Sequence, residues 1–550
     1  MADGRERVRV IRRLGEVVPL LPVVAFVVAF AIVPAALLLA NGFATDGGLA
    51  GLLRLADDPL NVQAVRNSLE QGGVSALAAT AVGLPAGAFL GRYSFRGRSE
   101  LLAVLIVPFL LPPLAVVLGV ETLFGAGGIV SSVLPATGTF GSGFGGIVAT
   151  NVLYNAPIVA LLTAVGVESA SPTLEETVAT LGRGPFANFR DAWGRSALLG
   201  AAAGAVLTFL FSALAFAAPL LLCGANCYTV EARVWSLDQV FLNPAAAAAL
   251  ALLLVLLLTL PAALYLTLVA RLRAARRTRE RPPRPVPWRQ PLLWPLAAAA
   301  VVLALGVVGL LGAVLDAAIR PGPSGGAAFS GVTALFGPTV TARLGVSTWA
   351  ATGNSIFFAG VATALALLFA VATGFGLAAR PGAARALRAL VFAPLVVSPV
   401  VLSFALSQFW RPVFGGPATV GLLILLAQAT LAIPFALPAV EVALRRLPRS
   451  LRESAETLGA TPWSAYLDVE LPLVRDGLVT AGLFAFALSF GEFTATYFLA
   501  TPTFTTLPVE LYRLEGLRLP AVAAAAAGLL VVVSLVAFVV IVRGGRRVEF

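Results

Sequence analysis

The sequence predicts an all-α polytopic membrane protein with about 12 transmembrane helices, arranged as two parallel six-helix repeats. Three observations carry this expectation. The 550 residues are 59% hydrophobic and only 12% charged, too little charge for a soluble globular chain of this length. Apolar runs of about 20 residues, the length that crosses the hydrocarbon core, recur from end to end. Short signatures in the first half return in the second. The runs are continuous and rich in Ala, Leu and Val, so helices rather than a period-two barrel are the expected spanning form.

The chain opens with Arg5, Arg7, Arg9, Arg12 and Arg13, then an apolar run from Val17 to Ala40. That run is longer than the core of a cleaved signal peptide and reads as a retained first span. The remaining spans are expected at about 67–90, 101–123, 145–167, 197–222, 245–270, 292–315, 352–379, 387–410, 418–443, 477–499 and 520–542. With the N-terminus inside, 30 of the 38 Arg fall on inner segments and eight on outer loops. This positive-inside bias predicts a multi-pass protein of the cell membrane with both termini cytoplasmic. It also accounts for the formal charge of +11, so no nucleic-acid partner is expected.

The densest Arg cluster, residues 271–291, is also rich in Pro. It reads as a cytoplasmic linker, touching membrane lipids with anionic headgroups, between a first half at 1–270 (core about 64–270) and a second at 292–550 (core about 350–545). Asn67-Ser68-Leu69 opens span 2 and Asn354-Ser355-Ile356 opens span 8. The Pro108–Pro113 stretch of span 3 matches Pro394–Pro399 of span 9, and Asn155-Ala156-Pro157 lines up with Ala432-Ile433-Pro434. The order runs the same way in both halves, so the repeat axis lies along the membrane normal.

Composition excludes several chemistries. There is no Lys, hence no GxxxxGK phosphate loop. There is no His, hence no triad or His-zinc site. No catalytic residue, bound cofactor or metal site is expected on this chain.

Two polar loops remain, at 170–196 and 445–475, each after the fourth span of its half. In the second, Ser450-Leu451-Arg452-Glu453 has capping-box spacing, and Thr173-Leu174-Glu175-Glu176 matches it in the first. Gly459 and Gly182 sit where a short helix needs a left-handed end. Thr461-Pro462 restarts a helix and Pro185 takes that place in the first loop. Trp463 and Phe186 follow, and Leu471-Pro472 is expected to end the unit. The pattern predicts helix, Gly break, helix at the cytoplasmic face in both halves, which suits a docking element better than a plain interfacial helix pair.

Glu453-Ser454-Ala455, Gly459, Val469 and Leu471-Pro472 resemble the EAA motif of ABC-importer permeases, with Ser454 in place of the usual Ala. The first loop keeps Glu176, Gly182 and Phe186, but has Thr177-Val178 for the two Ala and Gly194-Arg195 for Leu-Pro. The resemblance covers nearly the whole chain as two fused permease domains. It is nearest to the thiamine and iron(III) permeases at Leu488–Phe493 and Thr506–Tyr512. It implies a non-enzymatic permease subunit of an ATP-driven importer. Two copies of a separate ATP-binding subunit, carrying ATP and Mg, would dock on the loops. An extracytoplasmic substrate-binding protein would deliver a small solute such as thiamine or iron(III).

Charged and polar groups within spans are costly and mark candidate path residues. Glu492, with Ser489 and Thr494 beside it, is either an attractor for a cationic solute or a structural carboxylate; Asn155 and Gln408 are weaker candidates. Cys223 and Cys227, at the outer end of span 5, are either two free thiols or a disulfide. The rival reading is a twelve-span secondary transporter of the major facilitator type. The Gly91–Arg98 loop resembles the basic loop of those proteins, but lacks their Asp and leaves the paired loops unexplained.

Overall fold

The structure is a computed structural model that describes residues 20–45, 48–276, 283–290, 293–320, 327–379, 384–395, 397–416, 418–445 and 447–544. The first Arg cluster and the middle of the linker lie outside the described residues. The first helix, α1, spans Leu21–Ala44. It is followed by α2 (Pro59–Arg92), α3 (Arg98–Leu110), α4 (Pro113–Phe124), α5 (Gly143–Glu168), α6 (Pro172–Thr180), α7 (Gly194–Ala213), α8 (Ala217–Leu222), α9 (Val230–Trp235), α10 (Pro244–Arg276) and α11 (Trp294–Ile319). Then come α12 (Thr348–Ala379), α13 (Ala384–Phe392), α14 (Pro399–Phe414), α15 (Thr419–Arg445), α16 (Arg449–Thr457), α17 (Arg475–Phe490), α18 (Thr494–Leu499), α19 (Leu507–Gly516) and α20 (Pro520–Gly544).

The protein is all-α and polytopic. Among the described residues nine helices are long and apolar enough to cross a membrane, or eleven if each of two bent pairs is one span. The expected third span is the pair α3 and α4, bent by 108°. Leu111 and Pro112 are extended there, because Pro112 and Pro113 offer no N–H and disfavour helix in the residue before them. The expected ninth span is broken as well. A 3₁₀ turn at Ala393–Leu395 precedes Ser398, whose Oγ accepts the Val401 N–H at 3.1 Å and starts α14 afresh. The repeated Pro stretch therefore marks a break in both halves rather than a continuous span.

Two compact units emerge, and their boundary differs from the expected halves. One runs from Thr45 to Arg320; the other joins α1 to the chain beyond Pro321. The opening span of each expected half thus belongs with the other half's core. For α1 the reason is an apolar face of Val23, Phe26, Val27 and Ala31, buried among residues of α12, α14 and α15. The Phe26 and Phe369 rings lie 4.7 Å apart. A π-helical turn at Val28–Ile32 accompanies the acceptance of the Trp410 Nε1–H by the Ala29 carbonyl at 3.0 Å. For α11, Ala297, Ala300 and Leu303 close the core formed by α2, α3 and α5.

Within the Thr45–Arg320 unit α2 and α5 approach backbone to backbone. A Cβ added to Gly87 would sit 2.2 Å from the Ala160 carbonyl oxygen, the small-residue packing that membrane helices favour. The Asn-Ser pairs do not open their spans as expected, since α2 starts at Pro59 and α12 at Thr348, but from inside these helices they do the same work in each unit. Asn67 Nδ2 donates to the Tyr228 carbonyl at 3.1 Å and Ser68 Oγ accepts the buried Val230 N–H at 2.9 Å. Asn354 Nδ2 donates to the Thr505 carbonyl at 2.9 Å and Ser355 Oγ accepts the buried Leu507 N–H at 2.8 Å. Each pair fastens the return segment that follows a broken span: α7 with α8, and α17 with α18.

Candidate functional site

The second polar loop is built as a two-limbed brace. Its first limb, α16, begins one residue before Ser450, with Pro448 at the cap position and no side-chain cap. The expected capping box is therefore not formed. Pro448 already restricts the backbone ahead of the first turn, which leaves Ser450 inside the helix. Gly459 ends the limb at φ +93°, as expected, while the Ala460 N–H reaches the Ala455 carbonyl at 3.0 Å. Thr461 Oγ1 accepts the Ser464 N–H at 3.1 Å and caps the second limb, Pro462–Ala465. A π-helical turn follows at Tyr466–Glu470.

The limbs are locked together and to the core. Arg452 grips Glu470 with two hydrogen bonds, 2.7 and 2.5 Å. The Tyr466 hydroxyl donates to the Val371 carbonyl at 2.8 Å, and the Trp463 ring lies 4.8 Å from Phe375. Leu471-Pro472 does not end the unit as expected. The helix runs on through Leu473, with Pro472 following directly on the π-helical turn. The break comes at Val474, where the chain bends by 81° into α17. With the rest tied down, Glu453, Ser454 and Leu458 are left outward, Leu458 being 90% exposed. Ala455 is half-buried beneath them.

The first loop repeats this plan with different ties. Thr173 lies one residue inside α6, as Ser450 does in α16, and Glu175 is turned inward to an Arg. Gly182 has φ +65°, and the Arg183 N–H reaches the Val178 carbonyl at 3.3 Å, the same bond as in the second loop. The second limb, Pro185–Asn188, again leads into a π-helical turn, Phe189–Trp193. Glu175 occupies the position of Arg452, and its buried carboxylate is held by Arg92 of α2 at 2.5 and 3.3 Å. The Arg92 guanidinium also lies 4.8 Å from the Trp193 ring centroid. Glu176 is exposed, and Phe186 is 70% exposed where its counterpart Trp463 is tucked against the core. Hydrogen bonding first to Arg190, then to Arg183, holds the Asp191 carboxyl below its ordinary range.

The candidate path residues divide between the two units. Glu492 sits in the break between α17 and α18. Its carboxylate accepts the Ala495 N–H at 2.7 Å, the Thr496 N–H at 2.8 Å and the Thr496 hydroxyl at 2.6 Å. That is a helix N-terminus satisfied by a carboxylate, a structural role. Gln428 of α15 donates to the same Thr496 hydroxyl at 3.2 Å. Thr494 opens α18, Ser489 is buried near the end of α17, and Gln408 is exposed on α14. Asn155 belongs to the other unit, where its Nδ2 donates back to the Asn151 carbonyl at 2.9 Å. Cys223 and Cys227 form a disulfide beside Val117, Ile147 and Ala218. Among the described residues no group of three or more His, Cys, Asp or Glu could hold a metal ion.

Sequence reading missed the ties themselves. Glu175 and Arg452 looked like ordinary loop charges; only their shared position, 277 residues apart, signalled a common task.

Two stretches of the chain, residues 83–274 and 366–548, match the family described as binding-protein-dependent transport system inner membrane component. The chain belongs to this family. As a permease of that family, it is similar to the molybdenum transport system permease protein ModB of Mycobacterium tuberculosis, with 34% identity over 210 residues, 35% of this chain and 77% of the relative. The sulfate transport system permease protein CysT of Escherichia coli is 36% identical over 132 residues, 23% of this chain and 48% of the relative. The putrescine transport system permease protein PotI of Escherichia coli is 32% identical over 127 residues, 22% of this chain and 45% of the relative. The matches give the major-facilitator reading no support. Both polar loops fall inside the matched stretches of the permease.

Proposed function

We propose that this chain is the membrane-spanning subunit of an ATP-driven importer, with both polar loops facing the cytoplasm as docking elements for two copies of an ATP-binding subunit. One observation carries this. Two loops 277 residues apart share a helix, a left-handed Gly and a second helix ending in a π-helical turn, each braced from behind and outward at the tip. A brace makes the loop a lever: Arg452–Glu470 stiffens the second loop, and force on the tips reaches the spans through Tyr466–Val371 there and Arg92–Glu175 in the first loop, instead of bending the loop. Closure of the ATP-bound subunits would move both levers and bias the spans between two arrangements. ATP and Mg belong to that partner; the chain supplies path and levers.

A binding protein outside the membrane delivers a small solute. The likeness of Leu488–Phe493 and Thr506–Tyr512 to thiamine and iron(III) permeases makes those solutes the first to screen, beside the molybdenum, sulfate and putrescine of the relatives' names. Glu492 gives no independent support for a cation, since its carboxylate is engaged by α18. The test is reconstitution in liposomes with an ATP-binding subunit and a binding protein from the same organism. ATP-dependent uptake supports the reading; uptake driven by an ion gradient without ATP overturns it.

A further inference from the structure

Linker residues 271–276 end α10, and residues 283–290 are built into the fold. Arg284-Pro285 pairs as a short parallel strand with Tyr93-Ser94, just past the end of α2. Val286 lies against the core of its unit, and the Trp288 ring is 6.3 Å from Phe89 and 5.8 Å from Trp294, the first residue of α11. This anchoring brings Arg284 Nη2 to 3.3 Å from Glu175 Oε2. Two guanidinium groups thus converge on one fully buried carboxylate of the first loop. Arg92 comes from the end of α2 and Arg284 from the segment between α10 and α11.

The second loop needs no such help, because Arg452 and Glu470 close the corresponding brace within the loop itself. In the first loop Trp193 stands where Glu470 stands in the second, so the charge that balances Glu175 has to come from elsewhere. Arg92 supplies one full positive charge. Arg284 approaches the oxygen that Arg92 holds at the longer distance, 3.3 Å rather than 2.5 Å. It adds a second positive charge beside that oxygen of a carboxylate able to accept from two Arg at once.

We propose that Arg284 is a positioning residue for the first loop, and that the linker is a working part of the lever rather than a tether. Resting on the docking reading above, the inference adds a mechanical path: α6 to Glu175, Glu175 to Arg284, and Arg284 through the Trp288 anchor to α11. Without Arg284 the Arg92 contact still holds Glu175, but α6 gains freedom to swing.

The test uses the full chain with its ATP-binding subunit in liposomes. Arg284→Ala is expected to lower uptake per ATP hydrolysed about two- to fivefold, the range for a half-exposed ion pair. Arg284→Lys recovers part of the loss, and Arg289→Ala, an exposed linker neighbour, leaves coupling unchanged. In a Glu175→Gln background Arg284→Ala adds nothing further. A second readout needs no partner: trypsin cleavage after Arg183 in the isolated chain rises about two- to fivefold in Arg284→Ala, while the thermal midpoint holds. Unchanged coupling and unchanged cleavage in Arg284→Ala, or an equal added loss in the Glu175→Gln background, overturns the inference. A wild-type chain that binds no ATP-binding subunit refutes the docking reading, whereas the cleavage assay still decides whether Arg284 positions the loop.

Discussion

Replacing Gly459 with Ala isolates one physical quantity, the backbone conformation of the second loop's tip. At φ +93° an L-residue is disfavoured by about 1–2 kcal/mol. No atom lies within 4 Å of an added Cβ at Gly459 or Gly182, so neither substitution brings a steric clash. With 1.4 kcal/mol per factor of ten, the native turn should lose roughly five- to thirtyfold in population against alternative turns. Gly182, at φ +65°, lies closer to the left-handed minimum near about +57°. Gly182→Ala should therefore cost less than Gly459→Ala, and Gly182→Asn should be tolerated best of all. The assay is the affinity of the purified chain for the ATP-binding subunit together with uptake in liposomes, using thermal unfolding as the control for the body of the protein. Binding and uptake within twofold of wild type for Gly459→Ala, or a larger loss for Gly182→Ala, would refute the argument that the tips dock through a left-handed turn.

Three further outcomes follow from the ties. Arg452→Ala removes one partner of an ion pair whose side chains are 19% and 12% exposed. The expected loss, about 1–3 kcal/mol, lies between the surface and fully buried cases, reads as a lowered thermal midpoint, and should be partly recovered by adding Glu470→Gln. Ser68→Ala and Ser355→Ala each leave a buried N–H, of Val230 or Leu507, without its acceptor; about 1–3 kcal/mol of stability and faster protease nicking of the return segments are expected. Burial pushes the Glu510 carboxyl up to about 7, with hydrogen bonding to Thr348 opposing the rise. A carboxyl raised above its unfolded value stabilises the fold below about pH 4.5 and loses that contribution as pH climbs through about 7. Thermal midpoints should fall over that window, and Glu510→Gln should flatten the slope.

Local signals were legible in the sequence wherever one residue type has one dominant use. The Gly459 and Gly182 turns and the Thr461 cap were visible, because a left-handed turn and a Thr-Pro helix start leave narrow signatures; the Asn-Ser pairs were visible as a repeat, though they lie inside α2 and α12 rather than at their starts. Reading Pro108–Pro113 and Pro394–Pro399 as spans failed for the opposite reason. Apolar composition says that a segment is buried in lipid, not that it is one helix; Pro112-Pro113 broke the first stretch, and a 3₁₀ turn with the Ser398 cap broke the second. The exchange of α1 and α11 between the two cores depends on side-chain fit at Phe26, Phe369 and Trp410, which no periodicity reports. Glu492 looked like a site because a carboxylate in a span is costly; its partners are backbone N–H groups three and four residues on, a pairing that requires the break at Gly491. The loop braces were hidden because an Arg and a Glu do not reveal which opposite charge they meet.

The central claim is that two braced loops dock ATP-binding subunits, and site-directed cross-linking tests it most directly. Leu458→Cys and Phe186→Cys place thiols at the most outward apolar positions of the two loops in a chain whose native Cys223 and Cys227 are disulfide-bonded. With the purified ATP-binding subunit present, both positions should cross-link to it, and ATP should change the yield. Labelling of either position by an impermeant thiol reagent added outside intact cells, or cross-linking no greater than from an exposed control position, would contradict the account.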